Sequence, residues 1–483
     1  MNYQHINQME NTDSKNNYEV GMVGLGVMGR NLLLNMADHG FSVAGYDNDL
    51  TKVKTLRIEA EERDIYCTGN LREFITCIRK PRAIFLLVPA GAPVDIVINE
   101  MLPLLEKDDL IIDSGNSYFK DTNIRTISLK EKGIQFMGMG ISGGEEGARH
   151  GASIMPGGLK ESYERIRPVL EAVTARVNGE PCVAYLGPFS AGHFVKMVHN
   201  GIEYGIMQLI AETYAFMKQG LGLTDSELHA VYSDWNDSEL NSFLIEITGN
   251  IFGKLDENTG KSLIDEILDV ARQKGTGMWA SQSAMELQVP IPTIDMAVVM
   301  RDLSTFEEQR EMTNRLYQPK RIGFKEDRKE TVMQLRNAFY ASTLITYAQG
   351  FALLKVASEK YEYHLDLETV AKIWRGGCII RATILEDIMT AYHLKPDLTN
   401  LLLDDKLSQK IRENQENLRQ IVCRASEVAI PIPGMMASLS YLDAFSSSWL
   451  PANLIQAQRD YFGAHTYERI DSKGTFHTDW QKK

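Results

Sequence analysis

Residues 18–47 read YEVGMVGLGVMGRNLLLNMADHGFSVAGYD, and three features of this stretch decide the fold of the first part of the chain. Residues 18–23 form a short β-type run that ends in Gly24-Leu25-Gly26-Val27-Met28-Gly29. A helical pattern follows over 30–38. A second strand-like run, 41–46, then ends at Asp47, 18 residues after the last glycine. A G-x-G-x-x-G motif alone is weak evidence. Between a strand and a helix, with an acid at that distance, it is the fingerprint of a dinucleotide-binding βαβ unit. Gly24 permits the tight turn, Gly26 lets the backbone approach a pyrophosphate at the helix N-terminus, and Gly29 allows close helix–strand packing.

Asp47 sharpens the cofactor reading. Its carboxylate can accept both ribose hydroxyls of NAD and would face the 2′-phosphate of NADP at contact range. Like charges ~4 Å apart repel by about 1–4 kcal/mol at surface-like dielectric. The next residues, Asn48 and Asp49, bring no arginine, and Lys52 and Lys54 fall on the following helix. NAD is therefore the expected cofactor, with NADP the alternative.

Outward from this unit, strands fit 83–88 and 110–113 with helices between them, which predicts a doubly wound, mostly parallel sheet. Two turns leave those strands at their carboxyl ends, where such sheets bind ligands: Pro89-Ala90-Gly91 and Ser114-Gly115-Asn116-Ser117. After 136–140 comes Ile141-Ser142-Gly143-Gly144, whose unobstructed backbone N–H groups suit a carboxylate or hydroxyls. Past Gly187-Pro188 the texture changes. From 190 to 446 patterns of period 3.6 dominate and strand signals vanish, so a second, all-helical domain is expected. Asn200-Gly201-Ile202-Glu203-Tyr204 has a faint echo in Asn337-Ala338-Phe339-Tyr340-Ala341, which suggests a duplicated helical unit.

At the head of the helical domain stands AGHFVKMVHNGIEYGIMQ, residues 191–208. On a helix, Lys196, His199, Asn200, Glu203 and Tyr204 share one stripe, while Val195, Val198, Ile202, Ile206 and Leu209 share another. A base, an acid, an imidazole, an amide and a phenol on one stripe form an inventory for chemistry. The helix alone does not separate that reading from a varied solvated face; the other segments do. Gln273-Lys274-Gly275-Thr276-Gly277 and Arg301 supply the cations, hydroxyl and amides of a phosphate grip. The final stretch, PANLIQAQRDYFGAHTYERID from 451, is too rich in aromatic and charged residues for a mere terminus. It fits an arm that reaches a partner subunit, followed by a polar end.

The bulk numbers narrow the field. A chain of 483 residues exceeds one core, and 44% hydrophobic with 24% charged residues is ordinary for a globular protein. A net charge of −13 argues against nucleic acid or an anionic membrane as partner, so an anionic substrate would need a local cationic pocket. Five cysteines without metal-like spacing fit reduced thiols of the cytoplasm. The first 17 residues are polar with no apolar h-region, so a short disordered lead is expected at 1–17. No run approaches the roughly 20 apolar residues of a membrane helix.

With these segments aligned, the sequence resembles the decarboxylating 6-phosphogluconate dehydrogenases over nearly its whole length. The motifs that carry the resemblance are GLGVMG, IDSGNS, ISGGEEGARHG, GHFVKMVHNGIEYG, QKGTG and PANLIQAQRDYFGAHTYE. It implies a Rossmann domain over 18–189, an all-helical substrate and dimerisation domain over 190–446, and a tail over 447–483 that threads the other subunit of a homodimer. It also implies oxidation of 6-phosphogluconate at C3, loss of C1 as CO₂ and release of ribulose 5-phosphate in the pentose phosphate pathway, without a metal. By the same resemblance Lys196 matches the general base and Glu203 the general acid. Ser142, Gly143, Gly144, His199 and Asn200 match positions at the sugar acid. Asn116 matches a position shared with the cofactor. Tyr204, Lys274, Thr276 and Arg301 match the phosphate site, and Arg459 and His465 match residues given by the partner. Gly24, Leu25, Gly26, Val27, Met28, Gly29, Asp47, Asn48, Val88, Pro89 and Ala90 match cofactor contacts. Three positions depart from the family pattern. Its usual Asn-Arg pair after the second strand is Asp47-Asn48 here, a loop lysine is Pro89, and the lysine after GTG is Met278. The competing reading, a dehydrogenase of a small unphosphorylated hydroxyacid, has no use for Lys274, Arg301 and Arg459 together.

Overall fold

Short apolar strands flanked by helices build the first half of the chain. The structure is a computed structural model that describes residues 18–273, 275–319, 323–324 and 327–482; the lead at 1–17 and Lys274 lie outside the described residues. Seven strands, β1 (Val20–Val23), β2 (Val43–Tyr46), β3 (Ile65–Thr68), β4 (Ala83–Leu86), β5 (Leu110–Asp113), β6 (Gln135–Ser142) and β7 (Ser153–Gly158), form one sheet in the order β3-β2-β1-β4-β5-β6-β7. All neighbours are parallel except β6 and β7. Every residue of β1, β4 and β5 is buried, because helices cover both faces and such strands need no polar side. The strand order reverses between β1 and β4, which opens a cleft above their carboxyl ends.

The expected Rossmann architecture is what forms, with two strands added. β3 reads Ile65-Tyr66-Cys67-Thr68, without apolar–polar alternation, and β7 ends in Pro156-Gly157-Gly158, so neither carries a clear strand signal. The first helix, Val27–Asp38, starts directly after Gly26, earlier than the 30–38 pattern indicates.

From Ala191 to Phe445 the named elements are helical. Two long helices, Ala191–Ala215 (the central helix) and Arg328–Lys360, pack together, and a pair of short helices follows each. The short pairs, Asp225–Asn236 with Phe243–Phe252 and Leu367–Trp374 with Ile384–Leu394, meet at an antiparallel bridge between Ser242 and Ala382. This is the arrangement that a duplicated unit would give.

The central helix departs from the two-stripe expectation, because Ala191 to Ile202 are buried without a break. Glycines on its neighbours are the reason. A Cβ on Gly157 would lie 2.2 Å from the Gly192 nitrogen, one on Gly140 would lie 2.3 Å from Lys196 Cβ, and one on Gly350 would lie 2.5 Å from Ile202. The sheet edge and the second long helix therefore close on it from opposite sides, and the polar stripe becomes an interior surface.

Glu212, further along the same helix, is 2% exposed. It accepts hydrogen bonds from the Gly434 and Met435 amides at 2.6 and 2.9 Å, and from Gln208 Nε2 at 2.9 Å. Those amides open the helix Pro433–Phe445, whose own N-cap residue Ile432 offers no side-chain acceptor, so a neighbouring helix provides the cap. Burial pushes this carboxyl up to about 7. A folded pKa raised above the ordinary value means that stability is present at low pH and is lost as pH rises through about 7. The loss amounts to about 3 kcal/mol, on the order of 1.4 kcal/mol per unit. Urea unfolding at pH 5 and pH 8 should show wild type losing stability relative to Glu212→Gln. Glu212→Ala, which strands two buried amides, should cost about 2–4 kcal/mol at either pH.

The C-terminal stretch folds as well, its polar end included. After the helix Ala452–Gly463, Tyr467–Glu468 pairs antiparallel with Thr475–Phe476. The hairpin closes around Asp460, which is fully buried and accepts from the Thr466 and Thr478 amides, His477 and Trp480 at 2.8–3.0 Å. Among the described residues, no helix is long and apolar enough to cross a membrane.

Candidate active site

The glycine-rich turn forms one wall of a cleft of about 600 Å³ at the point where the strand order reverses. Gly24 has φ +96°, and a Cβ there would meet the Leu87 carbonyl at 2.4 Å. Gly26 faces open space, so a side chain would project into the cleft. A Cβ on Gly29 would lie 1.9 Å from the Gly24 carbonyl, which is the tight helix–turn packing expected of the third glycine. Val27, Met28, Asp47, Asn48, Val88 and Pro89 also line the cleft. Ala90 sits on the adjoining turn. Asp47 accepts from the Leu25 amide at 2.8 Å and the Asp49 amide at 2.9 Å, which holds its carboxylate at the cleft floor. Such a cradle fits a dinucleotide.

One expectation at this wall is corrected. Lys52 does lie on the next helix, Leu50–Ala60, but its flexible stem returns the ammonium to Asp47 at 3.3 Å. Glu100, which the sequence reading passed over, lines the facing wall with Pro93, Ile96 and Val97.

Below the cleft, the polar stripe of the central helix meets the end of β6. Lys196 is 6% exposed and His199 is fully buried. His199 Nε2 lies 3.1 Å from Ser142 Oγ, and its Nδ1 lies 3.1 Å from Asn200 Oδ1, 3.4 Å from Lys196 Nζ and 3.8 Å from Glu203 Oε2. Five of the residues singled out from sequence are thus one cluster. Burial lowers the Lys196 pKa, opposed by the Glu203 charge. Burial raises that of Glu203, opposed by Lys196 and Arg301. His199 is held well below the usual histidine range by burial and by Lys196. A lysine biased towards the neutral amine and a carboxyl biased towards the acid, both beside Nδ1 of a neutral imidazole, are a pair suited to proton transfer.

Gly143 and Gly144 adopt φ of +124° and +61°, and a Cβ on Gly143 would lie 2.5 Å from the Gly377 carbonyl. That contact shows a support the sequence reading missed. Gly377 to Ile379, in the second helical unit, underpin the Ser142–Gly143 turn, and the Ile379 amide donates to Ser142 Oγ at 3.3 Å. Trp374 packs edge-on against His199 at 5.5 Å. The echo of 200–204 in 337–341 places a second helical unit here but marks none of these residues.

One turn further along the central helix, Tyr204 is covered by the Arg301 guanidinium, 3.5 Å from the ring centroid. Gly277 presses on the same ring, since a Cβ there would lie 2.4 Å from it. Thr276 opens the helix Thr276–Glu286 and is 8% exposed. Tyr204, Thr276 and Arg301 therefore converge. Arg459 and His465 do not join them: both are exposed, and Arg459 Nη1 bonds Gln456 while His465 packs edge-on against Phe462, within the tail. Asn116 is exposed on the turn after β5.

Comparison with known proteins gives a consistent result along the chain. Residues 19–187 match the NAD binding domain of 6-phosphogluconate dehydrogenase, and 192–480 match the C-terminal domain of 6-phosphogluconate dehydrogenase. A Bacillus subtilis protein named 6-phosphogluconate dehydrogenase, NADP(+)-dependent, decarboxylating, is 50% identical over 96% of this chain and 99% of its own. A Lactococcus lactis decarboxylating 6-phosphogluconate dehydrogenase is 47% identical over 95% and 98%. Plasmodium falciparum 6-phosphogluconate dehydrogenase, solved with its cofactor NADP+ and with its substrate 6-phosphogluconate, superposes with a TM-score of 0.92. It is 44% identical over 96% of this chain and 100% of that one.

Proposed function

The chain belongs to the decarboxylating 6-phosphogluconate dehydrogenase family, and from that premise we propose that it converts 6-phospho-D-gluconate to D-ribulose 5-phosphate and CO₂, with NAD preferred over NADP. The observation that carries the reading is the buried Lys196–His199–Glu203 cluster, set between the cofactor cleft and the Tyr204–Arg301 pair. The Gly24–Gly29 turn, Asp47 and the Val88–Ala90 turn would hold the dinucleotide, which would supply the hydride acceptor for C3. The neutral Lys196 amine takes the proton of the C3 hydroxyl. Once charged, Lys196 stabilises the enolate that forms as C1 leaves as CO₂; its surroundings offset that charge only in part, so it acts most strongly at that step. Glu203, seven residues on and about 10 Å away along the axis, then protonates the enolate at the carbon that was C2, which becomes C1 of ribulose 5-phosphate. Ser142, the Gly143 and Gly144 amides, His199 and Asn200 hold the carboxylate and hydroxyls. Thr276, Arg301 and Lys274 hold the phosphate, with Tyr204 as the platform for Arg301.

The exposed Arg459 and His465 have no role in their own chain's site, and the exposed Leu454, Ile455, Tyr461 and Phe462 beside them leave an apolar face uncovered. We infer a homodimer in which the tail completes the partner's phosphate site, working in the cytoplasm in the pentose phosphate pathway.

Purified enzyme with NAD should release CO₂ and reduced cofactor in equal amounts from 6-phosphogluconate. Unphosphorylated gluconate should give less than about a hundredth of that kcat/KM, since a desolvated charge-assisted contact to the phosphate is worth about 1.5–3 kcal/mol and three cations share it. Equal rates with a small unphosphorylated hydroxyacid would favour the competing reading.

A further inference from the structure

Behind the cluster lies a buried charged network that the reaction outlined above does not use. Arg125, on the helix Phe119–Lys130, is 5% exposed. Its Nε and Nη2 donate to the two oxygens of Asp95 at 2.7 and 3.0 Å, Nη2 also donates to the Gly91 carbonyl at 3.1 Å, and Nη1 reaches Asp113 Oδ2 at 3.5 Å. Asp113, 1% exposed at the end of β5, accepts from the Gly115 amide at 3.2 Å and from Ser117 Oγ at 2.6 Å. One guanidinium thus holds the turn after β4 and, through Asp113, both ends of the Ser114-Gly115-Asn116-Ser117 turn after β5. The turns also touch directly, since a Cβ on Gly115 would lie 3.2 Å from the Val88 carbonyl.

The same helix reaches the central helix. Thr122, one turn before Arg125, contacts His193 Nδ1 at 2.7 Å, and His193 Nε2 lies 3.0 Å from the Asp113 carbonyl. A carbonyl only accepts, so Nε2 carries the proton and Nδ1 accepts from the Thr122 hydroxyl. That assignment agrees with the lowered pKa that burial gives this histidine. His193 stands three residues before Lys196 on the stripe that carries the proton-transfer pair. Gly138 makes room for it, because a Cβ there would lie 2.7 Å from the ring.

We propose that Arg125 is a positioning residue that fixes the β4 and β5 turns, and with them Asn116 and the nicotinamide end of the cofactor, in register with Lys196. This rests on the reading of the site given above. The adenosine and pyrophosphate end of the cleft takes its hydrogen-bonding groups from the Gly24–Gly29 turn and Asp47, which share no hydrogen bond with this network; the network reaches that end only through the helix Ala92–Met101, which carries Asp95 and lines the facing wall. The two ends of the cofactor should therefore respond differently to its loss. A misplacement on the scale of 1 Å at the reacting atoms costs on the order of 100-fold in rate.

The test compares wild type with Arg125→Lys, which keeps the charge but cannot span three acceptors, and with Asp95→Asn, whose carboxylate is half exposed. In the full-length enzyme, Arg125→Lys is expected to lower kcat about 10- to 100-fold. The primary deuterium isotope effect from 6-phosphogluconate deuterated at C3 should rise, because hydride transfer becomes the slow step. Binding of ADP-ribose, which lacks the nicotinamide, should stay within twofold. Asp95→Asn should shift kcat and the isotope effect the same way by a smaller factor, and it stands in if Arg125→Lys does not fold. An unchanged kcat and isotope effect, or ADP-ribose binding weakened as much as kcat, would make the network a structural brace and overturn the proposal. If wild type itself released no CO₂ from 6-phosphogluconate, the reading of the site would fail instead, independently of Arg125.

Discussion

Lys196→Met is expected to abolish turnover while substrate and cofactor still bind within a few fold. Removing a general base costs about 10²- to 10⁴-fold. In the proposed mechanism the same nitrogen also provides the charge that stabilises the enolate, so the loss should reach at least about 10⁴-fold in kcat. Methionine fills nearly the same volume, and the site is 6% exposed. Replacing a buried amine by a thioether leaves no unpaired charge, so the fold should be no less stable, and a melting curve separates inactivation from unfolding. The pH profile gives a second reading. Burial lowers the pKa of Lys196, so the neutral base persists to lower pH than an ordinary lysine would allow. The acid limb of kcat/KM should therefore fall below the usual lysine range as Lys196 protonates. Burial raises the Glu203 pKa, so the alkaline limb should lie above the usual carboxylate range as Glu203 ionises. Near-normal kcat in Lys196→Met would show that the base lies elsewhere.

The cluster was legible because it sits on one helix. Lys196, His199, Asn200, Glu203 and Tyr204 obey a single period, and no tertiary contact is needed to see that they share a face. The glycine turn was legible for the same reason, its strand, turn and helix being contiguous. What was hidden depends on contacts between distant segments. Gly377 and Ile379 support Ser142 from more than 230 residues away, and no local pattern marks them. His193 lies on the polar stripe one turn early and could have been included by extending the same periodicity backwards. Lys52 was read by its helix assignment, although a lysine stem spans the turn back to Asp47. Glu212 caps a helix 222 residues further on; nothing near it in sequence distinguishes it from a surface glutamate. The burial of Lys196, His199, Asn200 and Tyr204 on the polar stripe was concealed as well, because it follows from glycines on β6, β7 and the second long helix rather than from the central helix itself.

NAD should be used with a kcat/KM about 10- to 100-fold above that for NADP, and Asp47→Asn combined with Asn48→Arg should move the preference towards NADP. The contrast with the Bacillus subtilis relative named as NADP(+)-dependent makes this a sharp test of two residues. Asp47 is fixed by the Leu25 and Asp49 amides and is 6% exposed, so it cannot swing away from a 2′-phosphate. Lys52 is the cation at this wall that could meet such a phosphate, and it is already engaged by Asp47. Drawing it off would leave the Asp47 carboxylate uncompensated beside the new charge. Glu100 on the facing wall adds a further negative charge to the same cleft. A phosphate ~4 Å from Asp47 is opposed by about 1–4 kcal/mol. Lys52 offsets part of this, which places the expected discrimination in the middle of that range, at about 1.4–2.8 kcal/mol. In the double variant, the guanidinium introduced by Asn48→Arg would supply the bidentate donor that a phosphate prefers, and an asparagine in place of Asp47 can still accept from the Leu25 amide. Its amide nitrogen cannot accept from the Asp49 amide, so some loss of kcat/KM with NAD should accompany the gain with NADP. Lys52→Ala separates the contributions. If the lysine merely neutralises Asp47, removing it should widen the preference for NAD; if it binds a 2′-phosphate, removing it should cost NADP alone by a factor that Asp47→Asn does not change. A wild-type preference for NADP would mean that Lys52 leaves Asp47 for the phosphate, and that the acid at the end of β2 does not select the cofactor in this chain.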